Sequence, residues 1–391
     1  MNTPTKKLPT WVEIDLDALS HNLEVIRGRA PEPVGIMLVV KADAYGHGAV
    51  QIAHATRGKV DAFAVATVDE ARELAQSGID KTVQIISPVL TDEIPAVVDG
   101  RFVSTVPTAE FADAIAGYAE KAGARAAVQI EVDTGMGRAG LLAEEVVVLT
   151  AKIAELPALR LTGMFSHFPV AESDRAFTEE QVERFRFVVE QVRDSGIVVP
   201  VLHCANSAGI VGISSSYFDM IRPGLLAYGQ CFRALLDVQP IMQWKCRVVQ
   251  VRELPVGSTI SYGRTFAAGR STQIAVLPVG YGHGYPLRLS NQGEVLVAGQ
   301  RCPVLGRVTM DMTMVDVSDV DPSVKPGDEV VLIGKQESDE ITVDDIANWV
   351  GTISYEILTG ISKRVARTYF EDGKAVVHKS LLGVKPSETQ R

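Results

Sequence analysis

The chain of 391 residues is 46% hydrophobic and 22% charged, an ordinary globular composition with room for two domains. Its net charge of −10 speaks against nucleic-acid binding and against docking on an anionic membrane, since both need a basic surface. The N-terminal "MNTPTKKLPTWVEID" has two lysines but no apolar run behind them, and no other run could span a membrane, so a cytoplasmic protein is expected.

From residue 11 to about 240, short apolar runs alternate with amphipathic helical stretches. Eight candidate strands are 36–43, 61–67, 82–87, 102–106, 126–133, 159–167, 200–206 and 218–224. Between them lie helical patterns such as "TVDEARELAQSG" (67–78), "TAEFADAIAGYAEKAG" (108–123) and "TEEQVERFRFVVEQVRDSG" (178–196). Each opens on a threonine followed by acidic residues and closes at glycine, the expected cap chemistry. Strand–helix alternation repeated eight times over this length predicts a (β/α)8 TIM-type barrel, with an open doubly wound sheet as the competitor. The near-continuous apolar strands agree with burial on both faces.

After residue 240 the texture becomes Val-rich strands punctuated by Pro-Gly, Val-Gly and Ala-Gly turns, with no helical pattern before "TVDDIANWVG" (342–351). This predicts a mostly antiparallel β domain. The expected boundaries are 1–240 for the barrel, 241–383 for the β domain and 384–391 for a polar, flexible tail. Four scattered cysteines, Cys204, Cys231, Cys246 and Cys302, have no CxxC and no histidine at ligand spacing. They fit a reducing compartment and argue against a metal site.

In such a barrel the chemistry sits at the carboxyl ends of the strands. The expected first strand delivers Lys41; the fifth ends in "EVDTGMGRAG" with Glu131, Asp133 and Arg138. His167 closes the sixth, Asn206 and Ser207 follow the seventh, and Arg222 with Gly224 closes the eighth. Singly, each could be a solvated strand end or a satisfied core residue; their convergence on one face argues for a site. "ANSAG" and "RPGLLAYG" supply small residues, backbone N–H groups and the Ser207 hydroxyl, which suit a phosphate. Asn-Ser and Pro-Gly are also ordinary turn residues. A lysine facing a phosphate across a barrel mouth can form a Schiff base with pyridoxal phosphate (PLP), whose ring acts as an electron sink. Arg222 is the candidate partner of the ring nitrogen, where a cationic donor discourages protonation.

"VVKADAYGHG", "VDTGMGRAG", "GMFSHF", "ANSAG", "MIRPGLLAYG", "SYGRTF", "LPVGYGHGYP", "GRVTMDMTMVDV" and "SYEILTGISKRVAR" run in order from about residue 11 to 370. Together they resemble the alanine racemases, PLP enzymes of fold type III. The resemblance implies that Lys41 carries the cofactor and serves as one proton-transfer base. It implies that Tyr262 of "SYGRTF" is the other, reaching the site from a second subunit of a homodimer. Two acid–base groups on opposite faces of a planar carbanion racemise directly. A tyrosine of ordinary pKa, about 10, needs a cationic neighbourhood to act near neutrality, which His167 and Arg222 would supply. By the same resemblance Tyr45, Ser207, Gly224, Leu225 and Tyr355 hold the phosphate, with Asn206 supporting that corner. Arg138 meets the phenolic oxygen and the substrate side, and Met310 and Asp311 meet the substrate carboxylate. The implied role is interconversion of L- and D-alanine for peptidoglycan, without nucleic-acid, membrane or metal partners.

Three departures stand out. Relatives often carry a carbamate-modified lysine where this chain has Glu131, which already brings the negative charge to pair with Arg138. The usual "GYADG" reads "GYGHG", which puts His283 near an expected substrate channel with Tyr281, Arg288 and Arg307. Thr309 precedes Met310 where a cysteine is frequent. The alternatives are a racemase for serine or a broader substrate range, since one small group discriminates by only about 1–3 kcal/mol. A PLP-dependent decarboxylase of the same architecture and a PLP-binding homeostasis protein are the others. The decarboxylase needs no base of the "SYGRTF" kind, and the homeostasis proteins resemble the barrel alone.

Overall fold

The computed structural model describes residues 8–386, which divide into two compact units. One comprises Ser20–Ala44 and Ala49–Val238; the other comprises residues 8–19, 45–48 and 239–386. Strand β1, Thr10–Asp15, belongs to the second unit although it precedes the barrel in sequence.

The first unit is a parallel barrel. Its strands are β2 (Gly35–Val39), β3 (Ala62–Val65), β4 (Thr82–Pro88), β5 (Val103–Thr105), β6 (Ala126–Glu131), β7 (Leu159–Phe165), β8 (Leu202–His203) and β9 (Met220–Ile221). They follow the order β8-β7-β6-β5-β4-β3-β2-β9, every pairing parallel. Asp219 N–H donates to Leu202 O (2.9 Å) and Arg222 N–H to Ala205 O (2.8 Å), drawing the two end segments together. All eight expected strands are present. Their apolar runs are buried, with Phe63, Ala64 and Ile85 each at 0% exposure. Full burial of one such side chain stabilises by about 1.5–3 kcal/mol.

Helix starts follow short polar caps. Thr67 and Glu70 form a reciprocal capping box before Val68–Gln76, and Thr108 caps Ala109–Lys121. One expected start is corrected. The long helix runs Arg175–Asp194, with the Asp174 side chain accepting from Phe177 N–H, whereas Thr178 donates back to Asp174 O from inside the helix. A carboxylate at the N-cap competes well with a hydroxyl one turn later.

The second unit is mostly antiparallel. β1 pairs antiparallel with Met242–Arg247 and parallel with Ala366–Glu371 at the centre of a nine-stranded sheet. A three-stranded sheet is built on Thr272–Leu277, and a short hairpin pairs Thr259–Ile260 with Phe266–Ala267. The expected helix near 342–351 is Val343–Val350, capped by Thr342 and ended by left-handed Gly351. Residues 383–386 form a strand on Lys374–Ser380, so part of the expected tail is paired; 387–391 lie outside the described residues, as does most of the start of the N-terminal stretch. Among the described residues no helix is long and apolar enough to cross a membrane.

Candidate active site

Lys41 is delivered by an unusual piece of backbone. β2 ends at Val39, two residues before the lysine, so the strand is shorter than the sequence suggests. Ala42, Asp43, Ala44 and Tyr45 then all take positive φ, from 52° to 54°, a left-handed turn in which Ala44 N–H bonds Val40 O at 2.8 Å. For L-residues that conformation costs about 1–2 kcal/mol each. It is held by specific acceptors: Glu70 Oε1 takes Ala42 N–H (2.7 Å), and Asp43 Oδ1 takes Ala49 N–H (2.9 Å). Glu70 Oε2 meanwhile accepts from Ala66 and Thr67 N–H, so the capping box of one helix also pins the lysine turn. Burial lowers the Lys41 pKa first, Arg138 and Arg222 add to that, and Glu70 pulls the other way. Lys41 is therefore an amine biased toward its neutral, nucleophilic form.

β6 ends on Glu131, whose side chain is 4% exposed and lies 3.6 Å from Arg138. Asp133, two residues on, spends its carboxylate on the backbone N–H groups of Gly135, Met136 and Gly137, shaping the loop that carries Arg138. Burial raises the Glu131 pKa against the pull of Arg138 and Arg222.

Arg222, just past β9, is buried and donates four times. Nη1 reaches His203 Nδ1 (2.7 Å) and His203 O (2.8 Å), and Nη2 reaches Ser166 O (2.6 Å) and Cys204 O (3.1 Å). Its guanidinium stacks over Phe165, and burial brings its pKa down to about 10, so it stays cationic at neutral pH. His167 differs from expectation. Burial, then Arg222, Arg138 and Lys41, push its pKa down to about 3, so His167 is neutral and lends no positive charge. Those same causes place Lys41, Arg138, His167 and Arg222 within one another's fields.

The loops after β8 and β9 form an anion cradle. Ser207 Oγ accepts from Gly224 N–H (3.1 Å) and Leu226 N–H (3.3 Å), leaving its own O–H without an acceptor among the described residues; the Leu225 N–H is likewise unused. Asn206 supports the corner, accepting from Gly209 N–H (3.0 Å) and donating to Phe168 O (3.3 Å). A desolvated amine, a donor-only arginine and free N–H and O–H groups fit a phosphorylated aldehyde cofactor. Sequence reading missed Glu70, His203 and Gln129. The T-x-x-E box marked Glu70 as a cap only, while His203 and Gln129 sit inside strand runs and read as core.

The remaining expected residues belong to the second unit. Tyr45 and Tyr355 pack ring to ring, centroids 5.7 Å apart. Tyr262 is 72% exposed, on the turn of the Thr259–Ala267 hairpin, with neighbouring Ser261 (φ 64°) anchored by Oγ–H to Arg307 O at 2.6 Å. Asp311 pairs with Arg364 at 2.8 Å, and the Met310 N–H is unused among the described residues. Gly280 lies so close to this loop that a Cβ there would fall 2.0 Å from Thr309 O. His283 does not meet the expectation of lining a channel. It is 8% exposed, and its Nδ1 accepts from Gly280 N–H (3.3 Å), capping its own turn. Thr309 Oγ1 donates to Met312 O (2.9 Å) and accepts from Met312 N–H (3.1 Å), a self-contained turn.

A parallel (β/α)8 barrel with a desolvated lysine and an anion cradle at its strand ends is the architecture of a PLP-binding barrel enzyme. Residues 14–231 match the family model for the alanine racemase N-terminal domain, and residues 241–369 match that for the C-terminal domain. The chain is 41% identical to an alanine racemase of Halothermothrix orenii, over 92% of this chain and 97% of that protein. It is 39% identical to alanine racemase 2 of Caldanaerobacter subterraneus, over 96% and 98% respectively. Among solved structures, alanine racemase of Clostridium difficile superposes with TM-score 0.91 at 34% identity, covering 96% of this chain and 99% of that one. Alanine racemase of Bacillus anthracis with bound L-Ala-P gives 0.90 at 31%, covering 96% and 98%. The chain belongs to the alanine racemase family, PLP-dependent isomerases.

Proposed function

We propose that this protein interconverts L- and D-alanine by a two-base route, with Lys41 and Tyr262 exchanging protons on opposite faces of the substrate Cα. The observation that carries the reading is the lysine. Lys41 is a desolvated amine flanked by two arginines, on a turn whose left-handed backbone is held by Glu70 and Asp43. When bound, the cofactor supplies an electron sink for the charge left on Cα. The chain's residues do the rest. Lys41 Nζ holds or accepts the proton on one face and the Tyr262 hydroxyl on the other.

Ser207, Gly224 and Leu225 would hold the phosphate, with Asn206 fixing the Ser207 turn, and the family resemblance would add Tyr45 and Tyr355. Arg222, cationic at neutral pH, would face the ring nitrogen of the bound cofactor and would limit the charge the ring takes up there. Arg138, held by Glu131, would meet the phenolic oxygen and the substrate, and Met310 N–H with Asp311 would receive the carboxylate end. His167, being neutral, adds no positive charge to the site.

Tyr262, Met310 and Asp311 would come from the partner of a head-to-tail homodimer, so each site needs two chains. The setting would be the cytoplasm and the product D-alanine for peptidoglycan. Deuterium wash-in at Cα over a panel of amino acids in D2O tests the assignment. Exchange with loss of optical activity for both alanine enantiomers, and little for serine, is expected. PLP binding without exchange of any amino acid would reject it.

A further inference from the structure

Two residues before Glu131, on the same face of β6, Gln129 is 5% exposed and sets its amide against a buried imidazole. His203 Nε2 lies 2.8 Å from Gln129 Oε1, and His203 Nδ1 lies 2.7 Å from Arg222 Nη1. A guanidinium has only donors, so Nδ1 must be the accepting nitrogen. The ring proton then sits on Nε2 and needs an acceptor, which the Gln129 carbonyl provides. His203 is fully buried, stacked on Phe165 with centroids 5.1 Å apart and planes 2° from parallel, so ring rotation cannot swap the two nitrogens without repacking. Burial and the Arg222 charge hold its pKa well below the ordinary histidine value, excluding the doubly protonated ring.

The neighbouring strand has no side chain beside this amide, at a glycine where a Cβ would also fall 2.6 Å from Val201 O. Gly163 of β7 stands beside Gln129 in register, and a Cβ there would lie 2.9 Å from Gln129 Cδ and Nε2. Here the missing side chain leaves room for the Gln129 head group. One strand thus serves both arginines: Glu131 holds Arg138, and Gln129 acts through His203 on Arg222.

We propose that Gln129 is a positioning residue for the racemase reaction, locking His203 as the Nε2–H tautomer so that Nδ1 seats the Arg222 guanidinium. The loss of that lock lets the ring proton move to Nδ1, where it opposes Arg222 Nη1 donor to donor. The consequence for turnover rests on the racemase reading; the tautomer does not.

The test uses the cofactor-loaded protein with nitrogen-15-labelled histidine, the His203 signals assigned by their loss in His203→Gln. Native protein at neutral pH should show His203 solely as Nε2–H; Nδ1–H or a mixture would overturn the proposal, even if every variant misfolds. Gln129→Leu, close in volume and without an acceptor, should give a mixture of tautomers. Its kcat should fall about tenfold while KM for alanine stays within about threefold, the pattern of a lost interaction made in the transition state. A folded Gln129→Leu with native tautomer and native kcat would overturn it as well. If native protein binds PLP but does not racemise, the racemase reading fails while the tautomer spectra still decide the role of Gln129.

Discussion

Replacing Glu131 with glutamine should move activity and stability in opposite directions. The carboxylate sits 3.6 Å from Arg138 Nη2 and is 4% exposed, while Arg138 is 51% exposed. At an effective dielectric of about 20 the gross attraction is on the order of 5 kcal/mol. Water around the half-exposed arginine screens most of this, leaving about 1–2 kcal/mol for orienting it. Glu131→Gln should therefore lower kcat/KM by about tenfold. The effect on folding has the other sign. Burial raises the Glu131 pKa, so the native state holds this proton to higher pH than the unfolded chain, and the stability it contributes is lost as pH rises from the ordinary carboxylate range through the raised value. Glutamine removes that penalty, and Arg138 can turn to water. At neutral pH the variant should be more stable by about 1 kcal/mol, a rise in melting temperature of about 1 °C, and the difference should vanish near pH 4. A coupled D-alanine assay and thermal unfolding across pH read both. Unchanged kinetics, or a melting temperature lowered by several degrees, would refute the reasoning.

Three further outcomes follow from the same geometry. Since Glu131 is a carboxylate without modification, turnover in CO2-free buffer should equal that in bicarbonate; a reversible loss would show that a carbamate is needed elsewhere. Tyr262→Phe should suppress Cα exchange from one enantiomer far more than from the other, because only one face loses its acid–base group; equal losses would reject the two-base assignment. His167 carries a pKa of about 3 in the folded protein against 6.5 in the unfolded chain. The unfolded state thus takes up the proton first, and stability falls as pH drops below about 6.5, by about 1.4 kcal/mol per unit, or about 2 kcal/mol by pH 5. His167→Gln should flatten that part of the denaturant-midpoint curve, and a variant that keeps the full slope would place the proton uptake on another group.

Much of this protein is determined locally and is therefore readable along the chain. Apolar runs of strand length, polar helix starts and Gly stops point to eight strand–helix repeats, because hydrogen bonding and capping act within a few residues. The parallel order then puts every strand end on one face, which is why Lys41, Glu131, Arg138, His167, Ser207 and Arg222 could be grouped before any coordinates. Long-range packing decided what local pattern could not. β1 reads as the start of the barrel, yet it pairs with Met242–Arg247 and Ala366–Glu371, partners more than two hundred residues away. His167 looks like a cation by residue type, but burial beside three positive groups makes it neutral. His283 falls where a substrate channel is expected and is instead turned inward onto Gly280 N–H. Gln129 and His203 look like misplaced polar residues in apolar strands, and only the assembled sheet, with β7 between β6 and β8, brings them within 2.8 Å to meet each other's hydrogen-bonding needs. Charge state and tautomer depend on solvent exclusion and on neighbours from other strands, quantities that exist only once the barrel has closed.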